Sequence, residues 1–299
     1  MTNRYPNLFL AGAPKCGTTS LYDWLAQHPD IYAPVVKEPT YFSMGLTANR
    51  RLPASDYLSL YDKRGSEKYA IDGSTHNFYD KSAAANIKID SPDAKIIIAL
   101  RHPVEATHSM FHQLRFGGTE TISNLRDALL VEEDRAKLLK PIKRGFPETL
   151  LYSRVYSLRD NIVQYLDAFG SERVKIVLLD DVKSNPKAKL IEIYNWLGVD
   201  QAFVRKTKFD TKNGAKKARF AMIRDIAMYP PGWIGKVSKP LLSHETRRRI
   251  RLWLGQKNTA SAVNPPIDDE SRSILVERHL SDVVWLEELL QRDLSHWKI

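Results

Sequence analysis

The chain has 299 residues, of which 43% are hydrophobic and 27% are charged, as in an ordinary globular protein with a sizeable core. Its net charge of +10 favours an anionic ligand, while the lack of zinc-finger spacing, an RRM signature or a basic zipper argues against nucleic acid. The single cysteine excludes a disulfide framework, and no apolar run approaches the roughly 18–20 residues of a membrane span or forms a secretory signal, so we expect a cytoplasmic protein.

The first elements are a strand, a glycine loop and a helix. Leu8–Leu10 is a short apolar run that predicts a buried strand, and glycines and a proline then punctuate AGAPKCGTTS, residues 11–20. A helix should follow, because apolar residues recur at helical spacing up to Pro29. These helical positions are Leu21, Trp24, Leu25 and His28.

The glycine loop resembles a phosphate-binding loop with a displaced lysine. Gly12 and Gly17 keep the G-x-x-x-x-G spacing, but Thr18 stands where a nucleotide-binding loop has its lysine, and Lys15 comes three positions earlier. Amides at the helix N-terminus and the positive end of its dipole would bind an anion. The alternative is a tight strand-to-helix turn in which Lys15 is incidental.

Strand-like runs alternate with helical patterns along the chain, which predicts a parallel sheet with crossover helices. The strands are predicted at 8–10, 69–72, 95–100 and 174–179. Helices are expected from Pro103, over 155–169, from Pro186 to Gly198, and near the C-terminus with Leu280, Val283, Leu286 and Leu290 on one face. We predict an α/β, P-loop-like three-layer fold with a central parallel sheet flanked by helices. Residues 1–299 form one domain, with a helical insertion at about 117–147 and a variable cap at about 227–266.

A second anion site is predicted where the third of these strands ends. Arg101 follows KIIIAL, and Ser109 lies about two turns into the next helix, so an arginine fork and a hydroxyl could hold one phosphate. The alternative is that Arg101 pairs with a nearby carboxylate and Ser109 is an ordinary helix residue. Asp180 and Asp181, after VKIVLL, form a rival acidic strand end that keeps a magnesium-dependent kinase interpretation open. A solvated turn is the other role for this pair.

These motifs together resemble those of sulfotransferases that use 3′-phosphoadenosine 5′-phosphosulfate (PAPS). PKCGTTSL is similar to that family's 5′-phosphosulfate loop, and LRHPVEATHSMF to its 3′-phosphate motif. KEPTYF, residues 37–42, resembles the K-E-P-x-F-F segment of bacterial members, which are related to the heparan-sulfate and Golgi types. WLGV and the terminal LEELLQRDLSHW extend the resemblance across nearly the whole chain.

The resemblance implies in-line transfer of a sulfuryl group to an acceptor hydroxyl or amine, of a carbohydrate or small metabolite, without a metal. The product nucleotide would be adenosine 3′,5′-bisphosphate (PAP). The donor-binding residues would be Lys15, Cys16, Gly17, Thr18, Thr19, Ser20, Arg101 and Ser109, with Lys212 and Arg219 from a basic loop. Lys15 would also act in catalysis, by stabilising charge on the bridging oxygen.

The general base is predicted to be Glu38, by its place in KEPTYF, and His76 in DGSTHNF is the competing base. For Glu38, the alternative is a surface ion pair with Lys37. Heparan-sulfate-type members often carry Glu-Lys where this chain has Asp72-Gly73, so one expected lysine is missing. Two other functions remain open: a nucleotide kinase-like phosphotransferase, or a nucleotide-binding regulator without catalysis.

Overall fold

A computed structural model describes residues 5–47, 52–142, 145–210 and 264–299, together with the backbone of two short strands. Five parallel strands form the main sheet in the order β2-β3-β1-β4-β5. Their bounds are β1 Leu8–Gly12, β2 Ile31–Tyr32, β3 Tyr69–Asp72, β4 Lys95–Leu100 and β5 Val174–Leu178, and the two short strands are β6 Lys216–Ala218 and β7 Thr259–Ser261, paired antiparallel. The four predicted strands are confirmed; β2, with two residues, was not predicted.

Helices flank this sheet and follow its strands, so the predicted P-loop-like α/β fold is confirmed. They are α1 Thr18–Leu25, α2 Ala54–Ser59, α3 Ala83–Asp90, α4 Pro103–Gly117, α5 Leu125–Leu130, α6 Glu132–Lys137, α7 Tyr152–Val155, α8 Leu158–Phe169, α9 Leu179–Ser184, α10 Pro186–Leu197 and α11 Asp269–Leu290. None of the helices in the described part of the chain is both long and apolar enough to cross a membrane.

The first strand lies at the centre of the sheet and fixes the position of the glycine loop. β1 is buried along its whole length, as expected for a strand covered on both faces, and it pairs with β3 on one side and β4 on the other. In parallel sheets the carboxyl ends of neighbouring strands meet at one edge, where ligands bind. The segments after β1, β3 and β4 therefore converge.

Local sequence signals set most helix ends. Pro103 occupies the first turn of α4, and Asn185 caps α10, its side chain accepting a hydrogen bond from the Ala188 amide at 3.0 Å. Gly198, with φ 67°, ends α10 in the left-handed conformation that glycine adopts readily. The helix predicted over 155–169 is divided, because α7 ends at Val155 and α8 begins at Leu158.

The buried face of the C-terminal helix agrees only in part with the predicted one. Val283 and Leu286 are buried as expected, but Leu280 is 43% exposed. The buried face instead contains Leu275 and His279. The leucine pattern was misleading because a histidine takes an interior position of this helix.

The segment at about 117–147 contains the short helices α5 and α6, in agreement with the helical content predicted there. A buried ion pair anchors this segment: Arg135 donates two hydrogen bonds to Glu120, at 2.8 and 2.9 Å, and the Tyr152 hydroxyl donates a third at 2.9 Å. Most of the proposed cap at 227–266 lies outside the described residues.

Candidate active site

The glycine loop joins β1 to α1 and presents the helix N-terminus at the edge of the sheet. Gly17, with φ 78°, is the residue before the helix, and no side chain caps it. The first intrahelical bond is donated by the Leu21 amide to the Gly17 carbonyl at 3.2 Å. The amides of Thr18, Thr19 and Ser20 precede that bond, so they belong to the turn whose N–H groups have no partner within the helix. The predicted strand, glycine loop and helix N-terminus are present, and anion binding there stays a prediction.

The two side chains before Gly17 have different environments. Lys15 is half-buried and donates from Nζ to Oε1 of Gln113 on α4, at 2.5 Å. Cys16 is buried, its amide donates to the Ala13 carbonyl, and burial raises the pKa of its thiol to about 12. Lys15 is therefore placed to carry charge at the site, whereas Cys16 contributes to the packing of the loop itself.

A tyrosine from a distant part of the chain supports the loop. The Tyr156 hydroxyl lies 2.9 Å from the Pro14 carbonyl and 3.3 Å from the Ala106 carbonyl of α4, and both oxygens accept from it. It thus connects the loop to the helix that carries Ser109. Nothing in the sequence around Tyr156 indicated this contact.

Arg101 and Ser109 occupy the wall beside the loop. Arg101 follows β4, and it donates from Nε and Nη2 to Oε2 of Glu105, at 3.0 and 2.8 Å. The guanidinium carries five N–H groups, so three remain that bond to no described residue. The Ser109 hydroxyl likewise has no hydrogen-bond partner among the described residues. The carboxylate pairing left open from the sequence is present, and it uses only part of the arginine fork.

Asp180 and Asp181, the acidic pair after β5, contact side chains of other segments. Asp180 accepts from Nε1 of Trp297 at 3.0 Å, and Asp181 is paired with Lys189 and Arg292, which hold the pKa of its carboxyl below its usual range. Both residues lie in the first turn of α9 and connect it to the C-terminal segment. Both side chains remain partly exposed, so the pair lies in a solvated turn that these contacts hold in place. No group of three or more metal-binding side chains is found among the described residues.

Glu38 lies beside the carboxyl end of β3, and the segment that follows β3 holds its carboxylate. Its carboxylate accepts from the Thr75 amide at 2.7 Å and from the Thr75 hydroxyl at 3.1 Å. Lys37 adds an ion pair at 2.7 Å, and the Glu38 side chain is 33% exposed. The predicted surface pair is thus present, but the Thr75 contacts also fix the carboxylate in orientation. Thr75 was missed, although it directly precedes His76 in the sequence.

His76 lies in the 3₁₀ helix Thr75–Phe78, beside the residue that holds Glu38. Its Nδ1 is buried and has no hydrogen-bond partner among the described residues, and its ring packs on Phe146 with centroids 4.8 Å apart. Burial lowers the pKa of this imidazole below its ordinary value, which favours the neutral form at physiological pH. The two candidate bases therefore share one corner of the site.

The space at Gly73 explains the missing lysine. A Cβ there would lie 2.7 Å from a ring carbon of Tyr22 and 3.4 Å from Cγ of Lys37. The Lys37 side chain occupies this space, and its ammonium donates a hydrogen bond to Glu38. The preceding Asp72 is buried and structural, since it accepts from the Tyr57 hydroxyl at 2.7 Å. A positive charge is thus supplied beside Glu38 from a different segment.

Direct packing joins the glycine loop to the segment that carries His76. A Cβ on Gly12 would lie 2.3 Å from Cβ of Phe78 and 3.2 Å from the Thr75 carbonyl oxygen. Only glycine allows this approach. The phosphate side and the carboxylate side of the site therefore meet at the end of β1. Lys212 and Arg219 lie outside the described residues, so their predicted role stays a prediction.

The fold is a P-loop-like α/β fold, with a glycine loop, an arginine at a strand end and an oriented carboxylate at one edge of its sheet. The family model for the sulfotransferase domain matches residues 5–251. The chain belongs to the sulfotransferase domain family.

Individual relatives agree with this family. A crystal structure of a sulfotransferase from Alicyclobacillus acidocaldarius is 26% identical, covers 99% of both chains and superposes with a TM-score of 0.72. Carbohydrate sulfotransferase 15 of Mus musculus is 24% identical over 89% of this chain and 54% of its own length. Heparan sulfate glucosamine 3-O-sulfotransferase 6 of Homo sapiens is 30% identical over 37% of this chain and 31% of its own. The chain spans about half the length, or less, of these two relatives.

Proposed function

We propose that the enzyme transfers the sulfuryl group of PAPS to an acceptor hydroxyl and leaves PAP. The observation that carries this is the hydrogen bond from Lys15 to Gln113. Gln113 lies one helical turn beyond Ser109 on α4, so the loop lysine and the Ser109 side of that helix form one wall. A donor with phosphate groups at both its 5′ and 3′ ends matches a site with anion-binding groups on two adjacent strand ends.

The donor's two charged ends would use different parts of the chain. Its 5′-phosphosulfate would accept from the α1 amides of Thr18, Thr19 and Ser20, and its 3′-phosphate from the free N–H groups of Arg101 and the Ser109 hydroxyl. Cys16 and Gly17 would serve by shaping the loop. Lys212 and Arg219 would add positive charge from the basic loop.

Transfer requires a base at the acceptor and charge stabilisation at the leaving oxygen. The bond between sulfur and the bridging oxygen breaks as the bond to the acceptor oxygen forms. Glu38 would take the acceptor proton, because Thr75 and Lys37 hold its carboxylate in a fixed orientation. Lys15 would stabilise the negative charge that develops on the bridging oxygen. No metal ion is required in this scheme.

A magnesium-dependent kinase is the competing function, and the structure disfavours it through Asp180 and Asp181. These are the carboxylates at a strand end, and they bind Trp297, Lys189 and Arg292. Glu38, by contrast, is oriented at the edge where the glycine loop opens.

Calorimetry with PAP, and with ATP in the presence and absence of magnesium, tests the donor. We expect tight PAP binding without magnesium and at least tenfold weaker ATP binding. Incubation with radiolabelled PAPS and a panel of sugars, phenols, lipids and peptides then tests transfer. Magnesium-dependent ATP binding tighter than PAP binding would establish the kinase instead, and PAP binding without transfer to any acceptor would favour a regulator.

A further inference from the structure

Three buried polar atoms near Glu38 make no hydrogen bond to any described residue. They are Nδ1 of His76, the hydroxyl of Tyr79 and Oε2 of Glu148. Buried polar atoms are nearly always paired, because an unpaired one has lost its hydration without compensation. Three such atoms in neighbouring segments have hydrogen-bonding capacity that the described residues do not use.

The three side chains occupy one corner, next to the proposed base. The His76 and Tyr79 ring centroids are 5.8 Å apart, and Phe146, two residues before Glu148, packs on the His76 ring. Burial, together with the charges of Glu148 and Glu38, raises the pKa of the Tyr79 hydroxyl well above its ordinary value. The same two carboxylates also act on the His76 ring. The charges of Glu38 and Glu148 therefore act on the pKa of both rings.

Glu148 is fixed in orientation by its other oxygen. Its Oε1 accepts from the Thr47 amide at 2.7 Å and also from the Thr47 hydroxyl. These contacts leave Oε2 as the unpaired oxygen of a carboxylate whose rotation is already restricted. Glu148 comes from the 3₁₀ helix Pro147–Leu150, which ends the inserted segment, so this chain supplies the group from outside its sheet.

The chemistry of these atoms selects their partner. An ionised carboxylate only accepts hydrogen bonds, while a phenol and a neutral imidazole can both donate and accept. Three carboxylates, those of Glu38, Glu148 and Asp80, act on the two rings, and the ammonium that acts on His76, that of Lys37, is already paired with Glu38. A second anion placed here would be repelled, whereas a hydroxyl group could donate to Glu148 and accept from a ring.

We propose that His76, Tyr79 and Glu148 form the acceptor subsite, and that the acceptor is an uncharged polyhydroxyl compound. The acceptor hydroxyl next to the one that receives the sulfuryl group donates to Oε2 of Glu148. The rings of His76 and Tyr79 bind the hydroxyls beside it. This inference rests on the proposed sulfuryl transfer and names its substrate class. The positive net charge of the chain then serves the nucleotide donor rather than an acidic acceptor.

Two matched oligosaccharides test this assignment. One is a tetrasaccharide that alternates N-acetylglucosamine with glucuronic acid, and the other is the same compound with its carboxylates reduced to primary alcohols, so that they differ only at these groups. Radiolabelled transfer from PAPS gives kcat/KM for each, with PAP affinity measured on the same samples. We expect the neutral tetrasaccharide to be favoured at least tenfold.

Glu148→Gln should reduce that preference at least fivefold. Glutamine keeps an oxygen for Thr47 and replaces Oε2 by an N–H donor, so the subsite should tolerate an anionic neighbour. Tyr79→Phe should raise KM for the neutral compound several-fold without lowering the melting temperature, because the hydroxyl bonds to no residue that the structure describes. Glu133→Gln removes an exposed charge on α6 and should leave the preference unchanged.

The possible failures are distinguishable. Equal or better use of the acidic tetrasaccharide, or an unchanged ratio in Glu148→Gln, would overturn the acceptor assignment while sulfuryl transfer stands. Transfer to neither compound by protein that binds PAP would also overturn it. Failure to bind PAP at all would overturn the proposed function, and this inference with it.

Discussion

Replacing Arg101 by alanine should weaken binding of the 3′-phosphate specifically. Arg101 lies at the end of β4, and its guanidinium has three N–H groups that the contact with Glu105 leaves unused. Two of them suffice for a bidentate contact with a phosphate, and a charge-assisted contact of this kind contributes about 1.5–3 kcal/mol. The expected loss of PAP affinity is therefore about 10- to 150-fold.

A nucleotide that lacks the 3′-phosphate separates this effect from general damage to the site. Calorimetry with adenosine 5′-monophosphate should show less than about a threefold change for Arg101→Ala, since only the phosphate contact is removed. Arg173→Ala is a matched control, because Arg173 pairs with Asp93 near the start of β5, at the opposite edge of the sheet. Glu105→Gln should raise PAP affinity slightly by releasing the guanidinium.

Equal losses for PAP and adenosine 5′-monophosphate in Arg101→Ala would refute this reasoning. That result would mean that the arginine supports the loop and does not bind the 3′-phosphate. Unchanged PAP affinity in a folded variant would remove Arg101 from the site altogether.

Three further predictions concern catalysis, packing and pH. Glu38→Gln should lower turnover by roughly 10²–10⁴-fold with PAP affinity intact, and His76→Asn should cost less; the reverse ranking in radiolabelled assays would make the histidine the base. Gly12→Ala should destabilise the fold by about 1–3 kcal/mol in thermal unfolding. Gly117→Ala, where the nearest atom would be 3.9 Å away, should not; equal effects would refute the packing argument. Burial lowers the pKa of His279 to about 4, so the free energy of unfolding should fall between about pH 6.5 and pH 4, by up to about 3 kcal/mol. His279→Gln should flatten this pH dependence of the free energy of unfolding in denaturant titrations. An unaltered slope would mean that other groups cause it.

The donor side of the site could be predicted from sequence because its signals are local. Gly12, Gly17 and Lys15 lie within six residues, and a strand and a helix on either side give them a structural meaning. Arg101 and Ser109 are likewise a strand end and the helix that follows it. Pattern and spacing suffice when a site is built from one strand–loop–helix unit at a time.

The acceptor side depends on contacts between distant segments, which spacing does not reveal. Thr75 holds Glu38 across 37 positions, and Thr47 holds Glu148 across 101; on the donor side, the Lys15 contact with Gln113 spans 98. Lys37 replaces a lysine expected at position 73, which became clear only when the space around Gly73 was known. Gln113 had one usable signal: it lies four residues after Ser109 and therefore on the same side of α4.

The buried face of α11 shows a different limit of pattern reasoning. Leu280 fits the apolar spacing and is exposed, while His279 beside it is buried. Helix periodicity identifies a stripe only to within a residue or so, and the elements packed on it decide which side is interior. A rule that places histidine on the surface would therefore choose Leu280 instead of His279 as the buried residue.

The Tyr156 hydroxyl bond to Pro14 has a consequence for the order of folding. The loop is made before the segments that support it, because β1 needs β3 and β4 on its two sides and the loop needs Tyr156, 142 positions after Pro14. Contacts of such large sequence separation form late, because the intervening chain must first be ordered. A chain that ends before Tyr156 would therefore contain the complete glycine motif without its final shape. Nucleotide binding would begin only after most of the sheet has assembled.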